Sequence, residues 1–539
     1  MWRRLVPLAL LLTAAGVQAQ DAQPAPPAGK GVIRGVVTAA DSGRPIRGAN
    51  VRVAGSNGLA EPRWARTDEQ GRYEVRSLTA DRYTLTASKV RYLAVAYGQR
   101  RPGESGRPID VSATASVDGI NFALPRGGVI VARVTDSFGD PLRGVLVRPL
   151  VARFTNGARQ LVQAPGVAGS TTDDRGEVRL PGLPPGDYYL GTDPNSPRDG
   201  LHNAQTFHPG TALVAEARPV TLGLGGEIFA TFPLVRARPA RLSGVVLGSS
   251  GQPLVNPVAS LARGGVATGM SRRLVLGGDG SFVEDHLPPG EYIIEVREPE
   301  FAVHRVRLFG DDVTGLVVVT RKPASVRGRI TFEGGVAPKE SVQIRPAFAD
   351  PPIMPGISAG TVRWSGGLGP IIVNAEDNWT FEALIAGNGV MRLWPPATPW
   401  FLKAVLVDGK DVTETARDFS STYDGKPVEI VLRPSGAEIN GTVSDDRGQT
   451  TTDCTVVVFP DEPELWTPFS RFISTGRPNQ EGRFSLNGLP AGRYHVAALE
   501  YLAPGEERNP EILTQLRGVS TVLSLSEGES RSINLRVSR

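Results

Sequence analysis

A two-block pattern returns along the chain at intervals of 84 to 113 residues, and that spacing sets the size of the folding unit. The first block is an apolar-x-small-x-apolar strand followed by a Gly-x-Pro-apolar turn. It stands at Ile33–Val37 with Gly43–Ile46, at Ile130–Val134 with Gly139–Leu142, and at Leu242–Val246 with Gly251–Leu254. Weaker copies start at Val326 and Ile439. The central small residues are Gly35, Ala132, Gly244, Gly328 and Gly441. Solenoid repeats run to about 20–50 residues, so this period describes one small domain per copy.

The second block is Asp/Asn-turn-Gly-x-aromatic, then Leu-x-x-Gly-x-Tyr. Asp68, Gly71 and Tyr73 lead to Leu78 and Tyr83, and Asp173 and Gly176 lead to Leu183, Gly186 and Tyr188. Asp279, Gly280 and Phe282 lead to Leu287, Gly290 and Tyr292, and Asn479, Gly482 and Phe484 lead to Leu489, Gly492 and Tyr494. Asp and Gly supply hairpin turns. The strands that follow alternate apolar and polar residues, the period of a half-buried sheet. Regular short strands with turn signals every ten residues or so indicate sandwiches. The expected fold is all-β: about five Greek-key β-sandwiches in tandem behind a leader. Their expected bounds are 31–126, 127–236, 237–322, 323–434 and 435–539. Helical periodicity is nearly absent, with one short helix expected over 510–517.

These paired blocks resemble the carboxypeptidase regulatory-like domain, a transthyretin- or prealbumin-like sandwich of about seven strands grouped with carbohydrate-binding-like folds. The resemblance covers the first, second, third and fifth units. The fourth departs from it, since Glu376–Phe381 lacks the turn glycine and no Leu-Pro-x-Gly follows. Arrays of this kind without a catalytic domain resemble envelope proteins of soil bacteria.

Residues 1–19 read as a signal peptide: Arg3 and Arg4, an apolar run from Leu5 to Ala15, and Val17-Gln18-Ala19 as the cleavage site. The run is shorter than the roughly 20 residues of a membrane span. Residues 20–30 read as a disordered Pro/Ala linker. The mature chain is thus expected to be exported, to the periplasm, cell surface or medium, with no transmembrane segment. Cys454 is the sole cysteine, so the domains rest on their cores without intrachain disulfides, and its strand-like surroundings favour a buried structural thiol. The formal charge is +4, with Arg and acidic residues interspersed rather than gathered into the basic patch of a nucleic-acid binder.

The resemblance invites a peptidase reading, which the residues do not support. None of His202, His208, His286, His304 and His495 stands in a zinc-peptidase spacing. His202 and His208, with Asp193 and Asp199 nearby, are the one weak metal candidate. Acidic turns at Asp68/Glu69, Asp173/Asp174 and Asp311/Asp312 lack the dense spacing of a Ca²⁺ loop and read as turns. No phosphate loop is present. The chain is therefore read as non-enzymatic, with no catalytic residue, cofactor or metal. It is expected to be a structural or interaction protein, with an envelope protein or a polysaccharide as the expected partner.

The polysaccharide alternative rests on tryptophans that would stack on sugar rings. Trp364, Trp379, Trp394 and Trp400 crowd the fourth unit, and Trp466 lies in a Pro-rich stretch of the fifth. Trp364, Trp394 and Trp466 are the candidate ligand-binding residues, whereas Trp400 reads as core. A hydrolase would require His, Asp and Ser side chains to converge in space.

Overall fold

The computed structural model describes residues 29–55, 62–101, 103–112, 114–155, 157–193, 203–236, 238–263, 266–267, 271–287, 289–334, 337–338, 341–348, 371–385, 388–393, 400–419 and 423–538. The leader expected at 1–19 lies outside them. Five large apolar cores follow one another, spanning 33–124, 130–234, 240–318, 324–432 and 437–535. They are called here the first to fifth units.

Each unit is built around its opening strand, which lies between an antiparallel strand from the middle of the unit and a parallel strand from its end. In the first unit β1 (Gly31–Ala39) lies between β2 (Arg72–Leu78) and β3 (Phe122–Leu124). In the second β4 (Gly128–Thr135) lies between β5 (Glu177–Leu183) and β6 (Glu227–Pro233). In the third β7 (Ala240–Leu247) lies between β8 (Ser281–Leu287) and β9 (Val313–Val319). In the fourth β10 (Ala324–Phe332) lies between β11 (Thr380–Ile385) and β12 (Val428–Arg433). A second antiparallel sheet covers the inner face of each, for example the sheet holding Gly290–Glu298 and Ala302–Leu308 in the third unit.

The small residue of the first block lets the returning chain approach. A Cβ on Gly35 would stand 1.8 Å from the Ile120 carbonyl oxygen. Where Ala132 replaces the glycine, β6 runs beside β4 in unbroken register from Val129↔Glu227 to Thr135↔Pro233. In the third unit the register slips between Leu242 and Gly244.

The second block is locked to the first by hydrogen bonds. Asp68 Oδ1 accepts the amides of Gln70 and Arg72 at 2.9 and 2.8 Å, and Asp173 Oδ1 accepts those of Arg175 and Glu177, both at 2.9 Å. These are Asx turns, so the carboxylates close the hairpin. The preceding threonine reaches the Gly-x-Pro turn. Thr67 Oγ1 donates to Ile46 O at 2.5 Å and accepts the Ala49 amide at 2.8 Å, and Thr172 does the same with Leu142 and Val145. The motif tyrosine sends its hydroxyl back to a carbonyl four residues earlier: Tyr188 to Pro184 at 2.7 Å, Tyr494 to Pro490 at 2.8 Å. Burial pushes the Tyr188 phenol up to about 12. In the fourth unit, which lacks the turn glycine, Asn378 and Trp379 themselves adopt φ of 51° and 57°.

The fifth unit is closed differently. Here β13 (Ala437–Ser444), β14 (Thr455–Pro460), β15 (Arg483–Leu489) and β16 (Gly492–Leu499) are followed by α1 (Pro510–Leu516), β17 (Thr521–Leu525) and β18 (Ser530–Ser538). Strand β18 runs parallel to β13 and, at its end, parallel to β16, so one strand joins both sheets. The helix falls where the sequence places it, capped by Asn509, whose side chain accepts the Glu511 amide. Among the described residues no helix is long and apolar enough to cross a membrane.

Candidate functional site

The densest buried chemistry lies where the fifth unit meets the first. Arg477, just past the strand Ser474–Gly476, enters a ring of carbonyls from both units. Its Nη1 donates to Gly98 O at 3.1 Å and Ser105 O at 2.7 Å, 379 and 372 residues away in the chain. Its Nε donates to Cys454 O at 3.3 Å. Glu104 Oε1 stands 3.4 Å from Nη2, and the side chains of Arg477 and Glu104 are only 1% and 4% exposed. The other Glu104 oxygen accepts the amides of Arg100 and Arg101, so the carboxylate also shapes its own loop. Desolvation lowers the Arg477 guanidinium from its ordinary value, against the pull of Glu104.

Charge pairs surround this centre. Asp453 receives Arg100 at 2.6 Å and Arg107 at 3.1 Å. Asn479, which forms the fifth unit's Asx turn through its oxygen, donates its Nδ2 to Asp110 at 2.7 Å. Burial works to raise the Asp110 carboxyl, but hydrogen bonds from Arg82 and Asn479 outweigh it and hold the group below the usual range. Arg101 lies over the Tyr501 ring at 4.9 Å. The Cys454 thiol, buried beneath, is pushed up to about 12 by desolvation, so it serves as a packing group.

The fifth unit also holds the second and fourth. Glu506 pairs with Arg159 at 2.8 Å, and a Cβ on Gly505, at φ +93°, would meet the Phe154 carbonyl oxygen at 2.2 Å. On the fourth unit Arg471 pairs with Glu414 and donates to Leu402 O, both at 2.5 Å. Arg433 pairs with Glu527. Separately, the second unit's strand Ala158–Gln163 runs parallel to Val266–Ala267 of the third.

A His–Asp–Ser trio does converge, within the fifth unit. His495 Nδ1 is 2.7 Å from Ser520 Oγ, and its Nε2 is 2.9 Å from Asp461 Oδ1. Asp461 accepts a hydrogen bond from Nε2, and Ser520, whose hydroxyl donates to Arg517 O at 3.1 Å, sits against Nδ1. Nucleophilic catalysis needs in addition a substrate cleft and oxyanion donors. The ring instead stacks on Phe459 at 5.1 Å and 12°. Asp461 also receives Arg517 at 2.7 Å and Arg493 at 3.3 Å, and its carboxyl is lowered first by the His495 hydrogen bond and then by Arg517. The trio ties the chain after α1 to the middle of β16 and to the residue that follows β14.

Of the candidate sugar-stacking residues, Trp364 and Trp394 lie outside the described residues. Trp466 is 8% exposed, packed on Phe459, with its indole N–H donating to Pro460 O at 2.8 Å and Arg517 across its face at 5.5 Å. Trp400 is buried in the fourth core. His202 and Asp199 lie outside the described residues. His208 Nδ1 sits 3.1 Å from Arg218 O, and Asp193 is paired with Arg148 at 2.8 Å. No group of three metal-ligating side chains is found among the described residues. The fourth unit carries an open cleft of about 1200 Å³ over β10, β11 and β12, lined by Arg327, Arg329, Asp377, Glu382, Asp408 and Glu429 among others.

Sequence reasoning missed Glu104, Arg477 and the His495 trio. Each is an ordinary charged or polar residue, and the signal that unites them is proximity across long separations.

Residues 32–125 match the family model of the carboxypeptidase regulatory-like domain. No curated protein matches the chain. Among solved structures the chain is similar to GBS52, the minor pilin of Streptococcus agalactiae, at 16% identity over 39% of this chain and 97% of that one, with a TM-score of 0.24. It is similar to two B repeat units of the collagen-binding protein of Staphylococcus aureus, at 11% identity over 75% and 99%, with a TM-score of 0.14. It is also similar to BcpA, the major pilin subunit of Bacillus cereus, at 12% identity over 54% and 99%, with a TM-score of 0.14.

Proposed function

We propose that this chain, whose first unit is a carboxypeptidase regulatory-like domain, is an exported, non-catalytic structural and interaction protein in which five sandwiches form one closed platform. The observation that carries the reading is the buried Glu104–Arg477 contact, which ties the fifth unit to the first. Contacts of the fifth unit with the second and fourth add to it. A spacer string would leave such groups solvated. Burying an ion pair is costly unless its hydrogen bonds are made, and here both partners are also bonded to backbone. The five-unit division, the export and the envelope location belong to this proposal.

Small-angle scattering on residues 20–539 tests it. A closed platform has a radius of gyration of about 25–30 Å, near the compact-chain relation, whereas five units of about 35 Å in line give about 50 Å. The extended value would sink the platform. Recovery of the intact chain only from the cytoplasmic fraction of its own cells would sink the export.

A second reading, polysaccharide binding, is supported by the open cleft of the fourth unit, with Trp364 and Trp394 as the candidate ring-stacking residues. Saturable glycan binding that shifts Trp emission and is lost in Arg329→Ala and Trp394→Ala would support it. An empty glycan panel would remove it.

A further inference from the structure

The second sheet of the first unit keeps open an outer face that its counterparts cover. In the fifth unit that face holds Val457 and Phe459, packed beneath Leu513 and Leu516. In the second, Leu150 and Leu161 pack against Phe207. In the first unit the strands Arg63–Arg66, Asn50–Gly55 and Asp81–Ser88 run side by side. Val51, Val53, Leu85 and Ala87 belong to the core, so the alternate residues point outward. They form two rows across the strands, Trp64–Arg52–Thr86 and Arg66–Asn50–Ser88. Trp64 is 63% exposed, with the Arg52 guanidinium 5.9 Å from its ring centre.

Cations gather on this face without acids. A Cβ on Gly48 would meet Lys89 Nζ at 3.2 Å and Arg66 Nη2 at 3.5 Å, so two positive groups converge on one spot. Lys89 is held there by the carbonyls of Arg47 and Gly48, at 2.9 and 3.2 Å. At the border Arg47 and Arg82 are paired, with Glu69 at 3.0 Å and Asp110 at 2.9 Å. Among the described residues Arg52, Arg66 and Lys89 have no such partner.

We propose that this face binds an acidic polysaccharide, a chain of uronic acid residues. Trp64 stacks on a sugar ring, and Arg52, Arg66 and Lys89 donate to its carboxylates. The indole offers a flat π-face to the C–H face of a pyranose. A carboxylate relieves the mutual repulsion of Arg66 and Lys89, and a guanidinium can bond one through two parallel N–H groups. Asn50, Thr86 and Ser88 form no side-chain hydrogen bond among the described residues, which leaves them to bond sugar hydroxyls. Other polyanions fit less well. Single-stranded nucleic acid stacks successive bases on several rings, and the outward positions of these strands carry one. A lipid surface takes an apolar face, whereas the positions around Trp64 are polar.

The face shares no residue with the cleft of the fourth unit and stands whether or not that cleft binds a glycan. Titration of residues 20–539 with polygalacturonate, followed by calorimetry and Trp emission, tests it. Binding should be saturable and should weaken as salt rises, because exposed charges are screened. Trp64→Ala should weaken it at least about tenfold, as for a tryptophan at the centre of a site. The melting temperature should stay unchanged, since the side chain is exposed. Methyl-esterified polymer, which keeps the ring and loses the charge, and polyglutamate, which keeps the charge and lacks the ring, should both bind more weakly. Arg47→Ala, at the paired border, should bind as wild type does. No binding, or full binding by Trp64→Ala, would overturn the proposal. So would equal or tighter binding of polyglutamate, single-stranded DNA or anionic lipid vesicles. Binding lost in Trp394→Ala but kept in Trp64→Ala would assign it to the fourth unit instead. Should Trp64→Ala fail to fold, Arg66→Glu reverses an exposed charge and gives the same comparison.

Discussion

The third and fifth units share both sequence blocks, yet they differ in where their unusual residues lie. In the fifth, charged side chains are drawn into contacts with three other units, and β18 joins the two sheets into one path. In the third, the two sheets remain separate and valines face outward. Both keep the motif's turn and core positions, with Phe282 and Phe484 buried at the same place. The motif thus dictates the sandwich and leaves its outer surface free to diverge. On one unit that surface has become a junction, and on the other an open apolar face.

The contrast breaks most easily at the junction. Arg477→Ala would leave Glu104 buried without its cation, a loss of about 3–5 kcal/mol by the usual cost of splitting a buried pair. The expected readout is release of the fifth unit from the first, seen as faster proteolysis in the 98–105 loop. No change in cleavage there would mean that the units do not dock through this pair. Tyr494→Phe, inside the fifth unit, should cost about 1–3 kcal/mol in chemical denaturation, because the buried Pro490 carbonyl loses its donor. Tyr83→Phe in the first unit removes the same bond to Thr79, but that residue is exposed and water replaces the donor, so the loss should be smaller.

Acid should separate the two units by location. Asp110, at the junction, and Glu300, inside the third unit, are both held below their usual range. In each, burial acts to raise the carboxyl and is outweighed. For Asp110 the opposing bonds come from Arg82 and Asn479. For Glu300 they come from Thr320 at 2.6 Å and Ser249 at 2.7 Å. A depressed folded value means that the stabilisation is present above the unfolded value, about 4, and is lost as pH falls through the folded one. Undocking of the fifth unit and loosening of the third are both expected below about pH 4. Asp110→Asn should flatten the first transition and leave the second. Identical acid curves for Asp110→Asn and wild type would remove the junction from the account.

Much of the sandwich was legible because its signals are local. Gly71 takes positive φ in a turn that Asp68 closes within four residues, and Tyr188 and Tyr494 each reach a carbonyl four residues back. The α1 segment was legible for the same reason, with Asn509 capping beside Pro510. The junction was not. Arg477 reads as one arginine among many until the fold brings Gly98 and Ser105 to it. Trp466 shows the opposite ambiguity. A tryptophan in a Pro-rich stretch has the composition of an exposed platform, and only the packing of Phe459 beneath it shows it covered. The outer valines of β9 were visible as letters, but a run of valines does not show which alternate residues lack a cover.

The smallest expected effect is also the most discriminating for the third unit. Val319→Lys places a charge on a side chain already more than half in water, paired across the sheet with Leu247. The folded monomer should change by no more than about 0.5 kcal/mol in denaturant, the ordinary range for exposed positions. Its neighbour Val318 points inward and is 2% exposed, so Val318→Lys should unfold the unit. The difference between adjacent residues follows from the two-residue period of a strand. A large loss at Val319 would show that something in the folded chain already covers the face, and the third unit would then resemble the fifth. A negligible loss keeps the face open.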